Sequence, residues 1–102
     1  MAVTEAGNVV VMTANDDLYP ATASSAGGYY PSKMVNGVKI SNPTASKYYR
    51  LQIGDNIVYE LTTGATAPTT TQVDRVCIIT GGKQLELVTD DTGTAFKAFL
   101  YF

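Results

Sequence analysis

The chain has 102 residues, a net charge of −2 and an isoelectric point near 4.8, and its length fits a single domain over residues 1–102. Hydrophobic residues make up 45% of the chain and charged residues 16%, which excludes an intrinsically disordered protein. The seven Lys and Arg residues form no basic run, and this argues against a protein that binds nucleic acid through phosphates.

The first predicted strand covers residues 8–13. The side chains of Val9 and Val11 face one way, and those of Val10 and Met12 face the other. Apolar residues on both sides predict burial of both faces, either by a second sheet or by a neighbouring subunit. The apolar run is far too short for a signal peptide or a membrane span, so we expect no membrane association.

Residues 14–33 predict a long loop, because they are rich in Ala, Ser, Gly and Pro and show no helical period. A loop of this length in a compact domain is usually functional or mobile. It contains Tyr19, Tyr29 and Tyr30, whose rings need a surface to pack on. Two interpretations stay open: these tyrosines, with Tyr48 and Tyr49, cover the core, or they form a patch that binds a protein or a sugar.

Residues 34–41 also allow two interpretations. Asn36-Gly37 is a strong signal for a tight hairpin turn. Alternatively, one strand runs straight through, with Val38 and Ile40 facing the core and Gly37 at a bulge or a close approach. We prefer the straight strand, because the half before the turn is too short to pair well.

Residues 47–53 and 57–62 predict a hairpin whose register depends on the length of its loop. A three-residue loop, with Asn56 in the left-handed conformation, collects apolar side chains on one face and opposite charges on the other. The pairs that this register gives are Ile53 with Ile57, Leu51 with Tyr59, Tyr49 with Leu61 and Arg50 with Glu60. The Thr-rich residues 63–72 then predict an exposed connection that crosses between sheets.

Residues 75–88 predict a second hairpin around Gly81-Gly82, because glycine supplies the positive φ that two-residue turns require. Its register gives one face that is apolar for two consecutive pairs, and this face is expected to lie on the core. The pairs on that face are Thr80 with Lys83, Ile78 with Leu85 and Val76 with Leu87. Cys77 lies within the first of these strands and has no histidine to activate it, which predicts a buried and inert thiol.

The chain ends in an aromatic strand at residues 96–102. Together with the preceding turn at Asp90-Asp91, it is interpreted as a C-terminal extension strand over residues 90–102. Both faces of the strand are apolar, whereas a chain terminus normally frays. Such a terminus must be held, either at the centre of a sheet or against another chain.

Chemistry-bearing residues are sparse. The sequence has no histidine, which removes the commonest general base, metal ligand and triad partner. The acidic pairs Asp16-Asp17 and Asp90-Asp91 lack the alternate spacing of a calcium loop, so solvated turns are the simpler interpretation. Two distant carboxylates could flank a glycosidic bond, but nothing in the sequence selects them. We therefore predict no enzyme, no metal site and no cofactor.

About seven short strands, separated by turn signals and without a convincing helix, predict an all-β protein. The two architectures that suit this pattern are an antiparallel β-sandwich and a jelly-roll-like barrel.

The order of these segments carries a resemblance. The run Asn-Val-Val-Val-Met-Thr-Ala-Asn-Asp at residues 8–16 is followed by Val-Asn-Gly-Val-Lys-Ile at 35–40, Ile-Val-Tyr-Glu at 57–60 and a strand that ends in Thr-Gly-Gly. This order is similar to that of small all-β virion proteins of tailed bacteriophages, which occur as head decoration (cement) proteins or as tail components. The resemblance covers most of residues 8–88 and consists of turn and alternation patterns.

The resemblance implies a virion structural protein, most simply a capsid decoration protein that is assembled in the host cytoplasm. Such a protein needs a rigid β body and surfaces that add to a symmetric lattice. The implied partners are copies of itself, expected as a trimer, and the major capsid protein or another virion protein. The residues predicted to make these contacts are Tyr19, Tyr29, Tyr30, Phe96, Phe99, Leu100, Tyr101 and Phe102.

Two alternatives stay open beside the decoration protein. One is a structural component of the tail or fibre. The other is a carbohydrate-binding module that uses Tyr19, Tyr29 and Tyr30 as a platform.

Overall fold

The computed structural model describes residues 3–19, 32–66 and 73–102, whose regular secondary structure consists of nine β-strands and no helix. The strands are Val3–Ala6 (β1), Val9–Met12 (β2), Leu18–Tyr19 (β3), Met34–Ser41 (β4), Tyr48–Ile53 (β5), Asn56–Thr62 (β6), Asp74–Ile79 (β7), Leu85–Thr89 (β8) and Lys97–Tyr101 (β9). In the described part of the chain, no helix is long and apolar enough to cross a membrane.

The strands form two antiparallel sheets that enclose one core. The five-stranded sheet has the order β1-β2-β9-β4-β7, and the four-stranded sheet has the order β3-β8-β5-β6. This arrangement confirms the predicted all-β fold and is that of a β-sandwich. The strand count exceeds the expected seven partly because β3 lies within the segment that was interpreted as a loop.

Alternation along the strands builds the core, because every second side chain points between the sheets. The longest fully buried strand faces come from β4, β5, β8 and β9. The buried apolar side chains are Val10, Met12, Tyr19, Val35, Val38, Ile40, Tyr49, Leu51, Ile78, Leu85, Leu87, Phe96, Ala98 and Leu100.

The C-terminal strand β9 lies at the centre of the five-stranded sheet. It pairs with β2 through Val10↔Leu100 and with β4 through Val38↔Leu100. The expectation that this terminus is held in a sheet is confirmed. β9 thus forms the middle of the sheet, between β2 and β4.

The straight strand at residues 34–41 is confirmed. β4 runs through Asn36-Gly37 without turning, with Val38 and Ile40 buried and a shift of register between Val35 and Gly37. Gly37 lies at a close approach, since a Cβ atom built on it would come within 2.8 Å of Cγ1 of Val73. A glycine at this point therefore gives room to the residue that precedes β7.

The hairpin of β5 and β6 follows the predicted register except beside the loop. The pairs made by Leu51, Tyr49 and Arg50 are confirmed, but the pairing of Ile53 with Ile57 is wrong. An irregularity in the register instead pairs Gln52 with Ile57 and Ile53 with Asn56. The left-handed conformation in the loop is held by Gly54, at φ 59°, and not by Asn56, because glycine adopts it without a steric cost.

For the second hairpin, the predicted turn is confirmed, but the predicted pairing of its two strands is wrong. Gly81 and Gly82 have φ values of 61° and 81°, and the N–H of Lys83 donates to the carbonyl of Thr80 over 3.1 Å. The flanking strands, however, belong to different sheets, since β7 pairs with β4 and β8 pairs with β5. The predicted apolar face still lies on the core. Because β7 and β8 each turn one side to the space between the two sheets, the same alternate side chains are buried as in a hairpin whose apolar face covers the core.

Candidate interaction surface

The outer side of the five-stranded sheet brings together two of the predicted contact residues. Phe99 and Tyr101 point outward from the central strand β9, with ring centroids 6.4 Å apart and planes 19° apart. Phe99 lies between Val11 on β2 and Lys39 on β4, and Nζ of Lys39 lies 4.4 Å from the centroid of its ring. Tyr101 lies beside Val9. We call this surface, together with the outward cations described next, the β9 face.

Cations surround the aromatic rings on the β9 face. Lys39 is half-buried, whereas Lys97 on β9 and Arg75 on β7 are exposed. Of the described side chains on β2, β4, β7 and β9, only Asp74 is acidic. Its Oδ2 atom accepts a 2.6 Å hydrogen bond from the hydroxyl of Tyr59, which lies between the sheets. The β9 face is therefore aromatic and positively charged.

A groove of about 480 Å³ continues the β9 face between β4 and β7. Gly37 pairs with both Arg75 on β7 and Tyr101 on β9, and Val73 packs over this glycine. The residues that line the groove are Asn36, Gly37, Val73, Arg75, Val76 and Tyr101.

Three of the other predicted contact residues belong to the core instead. Tyr19, Phe96 and Leu100 are at most 5% exposed, so their side chains are not at the surface. Phe102 is half-buried and packs on Tyr19, with ring centroids 5.3 Å apart. Alternation explains the division, since even-numbered positions of the last strand point inward and odd-numbered positions point outward. The predictions for Tyr29 and Tyr30 lie outside the described residues.

A second surface lies along one side of the sandwich, where the edge strands β6 and β7 lie together. The hydrogen bond from Tyr59 to Asp74 joins these two strands across the sheets. The pKa of the Tyr59 hydroxyl is raised, mainly by its burial and further by its hydrogen bond to Asp74. We call this side the open edge. The exposed large apolar residues of the described chain lie on or beside these two strands: Ile57 and Val58 on β6, Ile79 on β7, Val73 just before β7, and Met34 on the neighbouring strand β4, where it pairs with Ile79.

The outer side of the four-stranded sheet has the opposite charge to the β9 face, and we call it the acidic face. Glu86 on β8 lies beside the side chain of Asp16, and burial together with this second carboxyl group raises the pKa of Glu86. Glu60 on β6 forms an ion pair with Arg50 on β5. The guanidinium carbon of Arg50 also lies 4.1 Å from the ring centroid of Tyr48.

The two acidic pairs stabilise turns, although they are less solvated than expected. Asp17 and Asp91 are buried, whereas Asp16 and Asp90 are exposed. Oδ2 of Asp17 accepts hydrogen bonds from two backbone N–H groups of the preceding turn, over 3.0 and 3.1 Å. Oδ1 of Asp91 accepts one from the N–H of Gly93 over 2.8 Å, as in an Asx turn.

The described residues offer few chemical groups beyond these surfaces. Among them, no group of three His, Cys, Asp or Glu residues is placed to hold a metal ion. Cys77 is exposed, and the prediction of a buried thiol is wrong. It points outward from β7, because its neighbours Val76 and Ile78 take the inward positions.

The residues that the sequence analysis missed are the cations of the β9 face and the apolar residues of the open edge. For Lys39 a signal existed, since it alternates with the inward residues Val38 and Ile40. For Ile79 the same signal existed, since it alternates with the inward residues Val76 and Ile78. For Ile57 the predicted register was misleading, because it paired Ile57 with Ile53 on the inner face, whereas Ile57 pairs with Gln52.

Comparison of the chain with models of protein families, with curated proteins and with solved structures finds no match.

Proposed function

We propose that the chain is a virion structural protein that works by binding other proteins, most simply as a capsid decoration protein on a phage head. The observation that carries the proposal is the open edge. Exposed apolar residues lie on both of its strands, with Ile57 at 50% and Ile79 at 62% exposure, and exposed apolar surface commonly marks a site of protein binding.

The open edge suits an extended segment of a larger partner. Among the described residues, no strand pairs with the outer side of β6 or of β7. An edge strand presents unpaired N–H and C=O groups, to which an arm of a capsid protein can add as a further strand. The apolar side chains on both edge strands would then be covered by the arm. The resemblance to decoration and tail proteins supplies the class of partner.

Carbohydrate binding through a tyrosine platform has less support. Such a platform requires exposed rings, and the ring of Tyr19 lies in the core against Phe102. A role in the tail or fibre would use the same open edge, and the experiment below distinguishes it from a role on the head.

The proposal is tested on particles purified from cells that carry the gene. We expect mass spectrometry to find the chain at a fixed number of copies per capsid protein. Particles made without the gene should bind the added purified chain, and separated heads should bind it better than separated tails. Absence of the chain from particles would overturn the proposal, whereas binding to tails alone would move it to the tail or fibre.

Matched variants test the surface. Ile57→Ser with Ile79→Ser should weaken binding to particles by at least about tenfold, since two apolar anchors are lost. The control is Val3→Ser, which removes a half-buried apolar side chain on β1, at the opposite edge of the five-stranded sheet. Equal binding by the double variant and the wild type would exclude the open edge as the site.

A further inference from the structure

We propose that copies of this chain associate head to tail, with the β9 face of one copy packed on the acidic face of the next. The inference deepens the proposed function, because it rests on the expected homo-oligomer and names the two surfaces that form it. Packing of the two faces leaves the backbone edges of β6 and β7 open to the larger partner, because it covers the outer sides of the sheets and not their edges.

Charge complementarity is the first argument. The β9 face carries Lys39, Arg75 and Lys97. The strands β2, β4, β7 and β9 contain one acidic residue, Asp74, and its side chain points inward to Tyr59. Two such faces repel each other, which disfavours a symmetric dimer through this surface. A partner must therefore present carboxylates.

The chain itself presents these carboxylates on its opposite side. Asp16 and Glu86 lie together at one part of the acidic face, and Glu60 lies at another. Arg50 neutralises only Glu60. Asp90 adds a further exposed carboxylate at the end of β8. The two outer sides of the sandwich are thus opposite in sign, and a second copy supplies to each face the charge that it lacks.

Apolar side chains on both faces provide the contact between the charges. On the β9 face these are the half-buried Val9 and Val11 beside the two stacked rings. On the acidic face, the half-buried Leu18, Tyr48 and Val88 lie among the charged residues. Aromatic and apolar groups ringed by polar ones are the usual composition of a protein interface.

The size of the faces sets the strength of the contact. Five strands about 4.8 Å apart, with about five residues of 3.3 Å each, give roughly 400 Å² per copy. This is about half of a standard interface, so a single pair associates weakly and responds strongly to salt. The contact is heterologous, because it joins two different faces. If the rotation from one copy to the next returns to the first copy, the copies form a ring such as the expected trimer; otherwise they form an open stack.

Sedimentation velocity of the purified chain tests the inference, with protein concentration and salt varied. We expect reversible oligomers in low salt that dissociate as salt is raised. Lys39→Glu with Lys97→Glu, and separately Glu60→Lys with Glu86→Lys, should each lower the association constant by at least about tenfold. An equimolar mixture of these two variants should associate again, because each supplies the face that the other has lost.

The matched control is Lys33→Glu with Lys83→Glu, which changes the net charge equally at exposed lysines outside both faces and should leave association unchanged. Circular dichroism confirms folding of each variant, and recovery in the mixture confirms it independently. A wild-type chain that stays monomeric in low salt, or a mixture that fails to associate, would overturn the inference. Either result concerns the purified chain alone, so binding to particles through the open edge is tested separately.

Discussion

The hydroxyl group of Tyr49 donates a hydrogen bond of 2.5 Å to Oδ2 of Asp91, a residue 42 positions further along the chain. The same hydroxyl accepts a 2.7 Å bond from the N–H of Thr44. Tyr49 is fully buried, and its ring packs on that of Phe96 with centroids 5.2 Å apart. One side chain of β5 thus joins the turn before its own strand to the turn before β9.

Tyr49→Phe should lower the free energy of unfolding by about 2 kcal/mol, because it leaves a buried carboxylate oxygen and a backbone N–H without their partner. Urea denaturation followed by circular dichroism measures the change. The matched control is Tyr48→Phe, at a half-buried position on the other side of β5, where a change below about 0.5 kcal/mol is expected. Equal effects of the two substitutions would show that the hydrogen bonds of Tyr49 contribute nothing.

Alkaline pH should weaken the fold through the same residue. Burial and the bond to Asp91 raise the pKa of Tyr49 from 10.0 to about 12, so the folded state holds this proton more tightly than the unfolded state. The stabilisation is complete below pH 10 and is lost as pH rises through about 12. Two pKa units correspond to a loss of about 3 kcal/mol. Denaturation at a series of pH values measures it, and Tyr49→Phe should show a shallower decline, which a parallel decline would contradict.

Much of the fold could be predicted because alternation is a local property. The period of two placed Val38, Ile40, Leu51 and Leu87 in the core, and each is buried. The pairing of strands could not be predicted in this way, since it depends on which of several apolar strands become neighbours in the folded sheets. The strands on either side of Gly81-Gly82 satisfy a hairpin pattern, yet each pairs with another strand.

The candidate surfaces were harder to predict than the core. The aromatic character of Phe99 and Tyr101 predicts them as contact residues, and they point outward because they occupy the odd-numbered positions of β9. Tyr19 and Leu100 were selected for the same character and are buried, because the sequence does not reveal which face of a terminal strand meets the second sheet. The division into a positive and an acidic face needs the order of strands in both sheets, which no local pattern contains.

The last residue of the chain should stabilise the fold. The ring of Phe102 packs on Tyr19, and its N–H donates a 2.9 Å hydrogen bond to the carbonyl of Asn8. Phe102→Ala should lower the free energy of unfolding by about 2 kcal/mol, since it removes a partly buried ring and an aromatic pair. Urea denaturation measures this, with Phe99→Ala on the outer side of β9 as the control that should lose less. A larger loss for Phe99→Ala would contradict the assignment of inner and outer faces.

Removal of residues 96–102 should prevent folding, because it deletes the central strand of the five-stranded sheet and four core-facing side chains. Far-ultraviolet circular dichroism should then show a disordered chain. A folded monomer after this deletion would instead indicate that the strand serves only the contact between subunits.

A side chain at position 37 should destabilise the fold, because Val73 occupies the space that it would need. A Cβ atom at position 37 would lie 2.8 Å from Cγ1 of Val73, so Gly37→Ala should lower the free energy of unfolding by about 1 to 2 kcal/mol. Val73→Ala alone should change it little, since Val73 is 48% exposed. The double variant should recover about 1 kcal/mol of the loss, which a double-mutant cycle in urea measures. Gly64→Ala is the control, because no atom lies within 4 Å of its Cβ position. Strictly additive effects of the two substitutions would show that the close approach of these residues does not explain the glycine.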